Sequence, residues 1–144
     1  MTTQCCSEKC RKRWRYLSGN VSTAKAYETL SGNWERYYRR LVNKRGRSET
    51  LTVEYLMELH EQQGGKCALT GEELTCKLIY GKKQWTNASI DRIVPAKGYV
   101  RGNIQIVCAA VNMWRGHLPL SDYIKWCKMV AENNPTPKRK KKDG

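Results

Sequence analysis

Apolar and polar positions follow two different periods along the chain, and the change of period divides it. From Asn33 to about Arg45, Trp34, Tyr37, Tyr38, Leu41 and Val42 fall at i, i+3, i+4, i+7 and i+8. That spacing predicts a helix with one buried stripe. Arg36, Arg39, Arg40 and Lys44 take the remaining surface, Gly46 is a plausible stop, and Lys44-Arg45-Gly46-Arg47 extends the positive face. A second helix is expected from a Thr52 N-cap to about Gln63, ended by Gly64-Gly65. Val53, Leu56, Met57 and His60 form its inner stripe, so His60 reads as a packed structural histidine.

From Lys66 to Val107 the helical period is lost. Cys67-Ala-Leu-Thr-Gly reads as a strand end and turn, Lys77-Leu-Ile-Tyr-Gly as a short strand, and Ser89-Ile-Asp-Arg-Ile as an alternating strand. Pro95 and Gly98 mark a loop, and Asn103-Ile-Gln-Ile-Val returns as a strand. Cys108 to Arg115 is expected to be a helix closed by Gly116. Ser121 caps a last helix whose stripe is Ile124, Cys127, Val130 and Ala131. This divides the chain into a Cys- and aromatic-containing basic arm over 1–30, a helical segment over 31–65, a mixed core over 66–134 and a basic tail over 135–144.

Charge adds a partner class. Among 144 residues, 27 Lys and Arg face 13 Asp and Glu, a formal net charge of +14, which calls for an anionic partner. A hydrophobic content of 40% is too high for a disordered polycation. No apolar run of about 18 residues is present, which excludes a membrane-spanning helix. The lack of a charged-then-apolar leader points to an intracellular protein. Seven cysteines, an odd number in that setting, argue for buried thiols or a metal site over a disulfide framework.

Asp91 on the first strand and Asn112 on the following helix offer the hard oxygen donors suited to Mg²⁺ or Mn²⁺. Their surroundings carry a further signal. The run SIDRIVPAKGYVRGNIQIVCAAVNMWRG resembles the ββα-metal core of HNH endonucleases, and the stretch from about Leu51 to Cys127 resembles the small phage-encoded type. The resemblance implies an α+β fold: a compact core of one β-hairpin and one helix, surrounded by additional helices and flanked by basic arms. It also implies metal-dependent hydrolysis of DNA, cutting one strand or both and leaving 5′-phosphate and 3′-hydroxyl ends. Asp91 and Asn112 match the metal ligands, Asn103 the residue that braces the loop, and Arg115 a phosphate-contacting lysine. Double-stranded DNA is the implied partner; by charge pattern Arg36, Arg39, Arg40, Lys44, Arg45 and Arg47 read either as contacts to its backbone or as a solvated face.

Two departures stand out. Arg92 replaces the family's general-base histidine and cannot accept a proton at neutral pH, although it suits a phosphate clamp. The base then has to come from His117 or from a metal-bound hydroxide. The zinc knuckle of the family is incomplete, because Thr70 and Val111 leave Cys67 and Cys108 without their pair-mates. Two thiolates do not close a tetrahedral site, which favours a metal-free knuckle over structural Zn²⁺ unless Cys5, Cys6, Cys10 or Cys76 completes it. The competing reading is an inactive HNH scaffold that binds DNA or regulates, motivated by the lost histidine. A zinc-organised RNA-binding protein rests on the cysteines and arms alone.

Overall fold

The computed structural model describes residues 31–45, 50–79 and 82–135. The expected arm over 1–30, the basic run over 138–142 and Arg47 lie outside them. The architecture is mixed α+β: helices α1 (Trp34–Arg45) and α2 (Val53–Gln62), strand β1 (Ala88–Arg92), a 3₁₀ turn at Pro95–Lys97, strand β2 (Ile104–Cys108), and helices α3 (Ala109–Arg115) and α4 (Leu120–Asn133). Among the described residues no helix is long and apolar enough to cross a membrane.

Helix α1 forms as its period predicts. Asn33 caps it by accepting from the Arg36 amide at 3.0 Å, and Tyr37, Tyr38 and Val42 are buried. The Tyr37 hydroxyl donates to the Ala88 carbonyl at 2.9 Å, tying α1 to the first residue of β1. Thr52 caps α2 as expected, accepting from the Tyr55 amide at 3.1 Å. The buried face of α2 is turned from the predicted stripe: Tyr55 and Leu56 are inside, whereas Met57 is exposed. The reason is the Tyr55 hydroxyl, which accepts from the Gly102 amide at 3.0 Å and fixes the helix against the loop before β2. His60 is a packing residue, as expected. Its Nδ1 lies 2.8 Å from the Tyr38 hydroxyl, and its ring centroid is 4.2 Å from that of Trp34.

The two strands pair antiparallel with Ala88 opposite Cys108, Ile90 opposite Ile106 and Asp91 opposite Gln105. Alternation puts Ala88, Ile90, Ile104 and Ile106 on one face, and all four are buried in the core with Leu51, Leu56 and the tyrosines of α1. Ser89 and Asp91 point to the other face, where α3 lies. The outer edge of β2 is covered by a side chain: Gln63 accepts from the Ile106 amide and donates to the Ile106 carbonyl. Strand β2 runs directly into α3. The first α3 amides, of Ala109 and Ala110, are satisfied by the carbonyls of Asn87 and Trp85 at 2.8 and 3.0 Å.

Two predicted elements need correction. Over 77–79 there is no strand, only an isolated bridge between Ile79 and Lys82. The last helix starts at Leu120 with Pro119 in the cap position, so Ser121 is not its cap. Its predicted stripe is not buried: α4 has no buried residue, and Ile124 and Val130 are 42% and 61% exposed. Tyr123 is the α4 side chain packed against the core, because α4 rests on the knuckle edge rather than on the hairpin.

Candidate active site

The ββα unit brings the oxygen-bearing residues of the sequence reading to one interface. Asn112 and Arg115 sit one turn apart on α3 and both reach β1. The Asn112 Nδ2 donates to Ser89 Oγ at 2.6 Å and to the Ile90 carbonyl at 3.0 Å, which commits the amide nitrogen and leaves Oδ1 as the ligand-capable atom. Asp91 is 4% exposed and accepts from Arg115 Nη1 and from Gln105 Nε2, the latter at 2.8 Å, both on Oδ2. In donor chemistry Asp91 and Asn112 fit a hard divalent cation. Such an ion has the Arg115 guanidinium as a neighbour and rival for the carboxylate.

Arg115 corrects the expectation of a phosphate contact. It is 1% exposed, and besides Asp91 it donates to the carbonyls of Arg92 at 2.7 Å and Ile93 at 2.9 Å. Three of its five N–H groups are so engaged, and Nε is buried without a partner. A guanidinium so enclosed presents no N–H at the surface to a nucleic-acid backbone. It instead ties the end of α3 to the end of β1, and Gly116, at φ 56°, turns the chain away immediately afterwards.

Asn103 sits at the base of the loop between the strands. It is 4% exposed; Oδ1 accepts from the Val94 amide at 3.0 Å, and Nδ2 donates to the carbonyls of Val94 and Gly98 at 2.9 and 2.8 Å. The loop between the strands is thereby pinned across its mouth.

Arg92 and His117 come together. Arg92 Nη2 lies 3.2 Å from His117 Nδ1, and Nη1 donates to the Pro95 carbonyl at 3.3 Å. An arginine N–H only donates, so Nδ1 is the acceptor and the ring proton of His117 is on Nε2. The Arg92 guanidinium also lies 5.1 Å from the Tyr99 ring centroid, and that of Arg45 lies 4.6 Å from the same ring. Burial, followed by the like charge of Arg92, lowers the Arg45 pKa, with Asp91 opposing. Two cations sharing one aromatic ring form a natural seat for an anion.

The remaining α1 cations divide. Arg39 is engaged by Glu35 at 2.5 Å. Arg36 is exposed on the outer face, and Arg40 and Lys44 line a cleft with Lys77, Lys82 and Lys83. Sequence reading missed Gln105, Tyr99, these three lysines and the exposed pair Trp85 and Trp114. Gln105 becomes visible only through the strand register. The Lys82-Lys83-Gln84-Trp85 run did carry a signal, cations beside an aromatic.

At the knuckle, Cys67 and Cys108 are neighbours. The Cys108 amide donates to Cys67 Sγ at 3.3 Å, and Thr70 Oγ1 is 3.6 Å from Cys108 Sγ. Burial raises both thiols, but hydrogen bonds from Thr70 and from the amides of Cys108, Leu69 and Thr70 bring Cys67 down overall. Cys108 stays above its ordinary range, burial being the main cause. Among the described residues no three metal-binding side chains converge. No protein-family profile, curated protein or solved structure matches the chain.

Proposed function

We propose that this chain is a metal-dependent DNA endonuclease of the HNH, ββα-metal type, with Arg92 on the scissile phosphate and His117 as general base. The observation that supports the reading is the contact between Arg92 and His117, which sets an imidazole from beyond α3 beside the residue that follows Asp91. Asp91 and Asn112 would hold the ion through carboxylate and amide oxygens. The chemistry such an ion supplies is stabilisation of charge on the phosphate and on the leaving 3′ oxygen.

The protein's own residues do the rest. A phosphate arriving at Arg92 and Arg45 takes up guanidinium N–H groups, and one of these is the donor now held by His117. Release of that bond leaves the Nδ1 lone pair free to take a proton from the attacking water. The water oxygen bonds to phosphorus, the P–O3′ bond breaks, and the 3′ oxygen collects a proton from solvent. Asn103 keeps the loop between the strands in shape while Arg92 changes partners.

The second reading, an inactive DNA-binding scaffold, is favoured by one observation. The Asp91 charge is already matched by buried Arg115. A supercoiled-plasmid assay with EDTA, Mg²⁺ or Mn²⁺ decides between them. Metal-dependent open-circular or linear product, lost in Asn112→Ala and in His117→Ala, supports the nuclease. Retarded but intact plasmid with either metal supports the scaffold.

A further inference from the structure

Charge is unevenly distributed over the described residues. Glu35, Glu54, Glu58 and Glu61 gather around one face formed by α1 and α2. The cleft on another side, between α1 and residues 77–79 and 82–84, has a volume of about 370 Å³ and is lined by Arg40, Lys44, Lys77, Lys82 and Lys83, with no carboxylate among its described lining residues. Ser89 borders the cleft, and its Oγ bonds Asn112.

Beside it are two aromatic rings that the core does not use. Trp85 and Trp114 are 48% and 64% exposed, with centroids 6.5 Å apart and planes inclined by 31°. Lys83 belongs to both features: its Nζ lies 4.8 Å from the Trp85 centroid and 2.9 Å from Met113 Sδ, while the same residue lines the cleft. Adjacent exposed aromatic side chains form a contiguous apolar patch of the kind that marks interaction surfaces. A cationic groove flanked by aromatic faces is the arrangement that holds unpaired nucleotides, with phosphates in the groove and bases on the rings. In an intact duplex the base faces are already stacked on one another and have nothing to offer these rings.

We propose that Trp85 and Trp114 stack unpaired bases of a DNA strand whose phosphates follow the Arg40–Lys83 cleft, so that this protein engages DNA with a single-stranded segment. The proposal rests on the reading of the chain as a DNA-acting protein and names the form of DNA that it holds.

The test is fluorescence anisotropy on full-length protein with a labelled oligothymidylate of about 12 nucleotides, within the range that single-strand grooves cover, and with a blunt duplex of matched length. Trp85→Ala/Trp114→Ala weakens oligothymidylate binding by about 5- to 150-fold per stacked base and leaves duplex binding unchanged. Trp85→Phe/Trp114→Phe restores most of the loss, which a merely structural role does not explain. Lys82→Ala/Lys83→Ala lowers the salt slope on oligothymidylate by about 0.7 for each phosphate contact removed. Equal binding of oligothymidylate by wild type and the double alanine variant overturns the proposal while duplex binding keeps the DNA reading alive. Wild-type protein that binds neither DNA overturns both.

Discussion

Arg92 and His117 meet across 3.2 Å although 25 residues separate them in the chain. Their contact is made at the surface, where His117 is exposed, so each can be changed without opening the core. His117→Ala is expected to lower single-turnover plasmid cleavage by about 10²- to 10⁴-fold, the usual contribution of a general base, with DNA affinity unchanged. Wild-type rates in this variant would remove His117 from the mechanism.

Asp91 and Arg115 are a buried ion pair, and breaking it from one side leaves a charge stranded. Arg115→Leu should cost about 3–5 kcal/mol of folding stability in urea titrations. Asp91→Leu/Arg115→Leu should recover much of that loss, since two apolar side chains replace two charges. A single variant as stable as wild type would show that the pair is solvated in solution.

His60 makes stability depend on pH. Burial lowers its pKa below the ordinary 6.5, so the unfolded chain takes up a proton more readily than the folded one. Its contribution is therefore complete above about pH 6.5 and is lost as pH falls toward and through the lowered folded value. The chemical reason is the neighbour. Burial raises the Tyr38 pKa, keeping its hydroxyl protonated as the donor to Nδ1, and a protonated imidazole has no lone pair to accept it. Melting temperature should fall through this window in wild type and fall less in His60→Gln.

The knuckle is two side chains short of a zinc site. Thr70 already lies 3.6 Å from Cys108 Sγ, and Val111 stands one turn into α3 from Cys108. Thr70→Cys/Val111→Cys is expected to copurify with one equivalent of zinc and to melt at a higher temperature, measured by elemental analysis and calorimetry. A variant that carries no zinc would mean that the four positions do not converge tetrahedrally.

The periodic parts of the chain were legible. Trp34 to Val42 and Ser89 to Val107 announce a helix and a hairpin because burial on one face imposes a repeat. Asn103 and Asn112 both turn up bonded to nearby backbone, Asn103 across the loop and Asn112 onto β1. Arg115 was not legible: a cation ending a short helix reads as a surface group, and only the Asp91–Gln105 register reveals the carboxylate that draws it inside. Helix α4 misled for the opposite reason. Its amphipathic stripe says that an apolar side exists, but not that Tyr123 alone reaches the core. The lysines of the cleft were missed because 77–84 has no period of its own, and a groove is made by the spacing between segments.

Asn103 has a consequence for how this surface can change. One buried amide closes the loop between the strands by bonding Val94 and Gly98. The outline of that loop is thus held by a side chain at its base, while Ala96, Lys97, Val100 and Arg101 along its rim are exposed. Those rim positions can be exchanged with little effect on the path of the backbone. The hairpin is built like a ring with interchangeable stones, and diversity at its tip comes without rebuilding the mount.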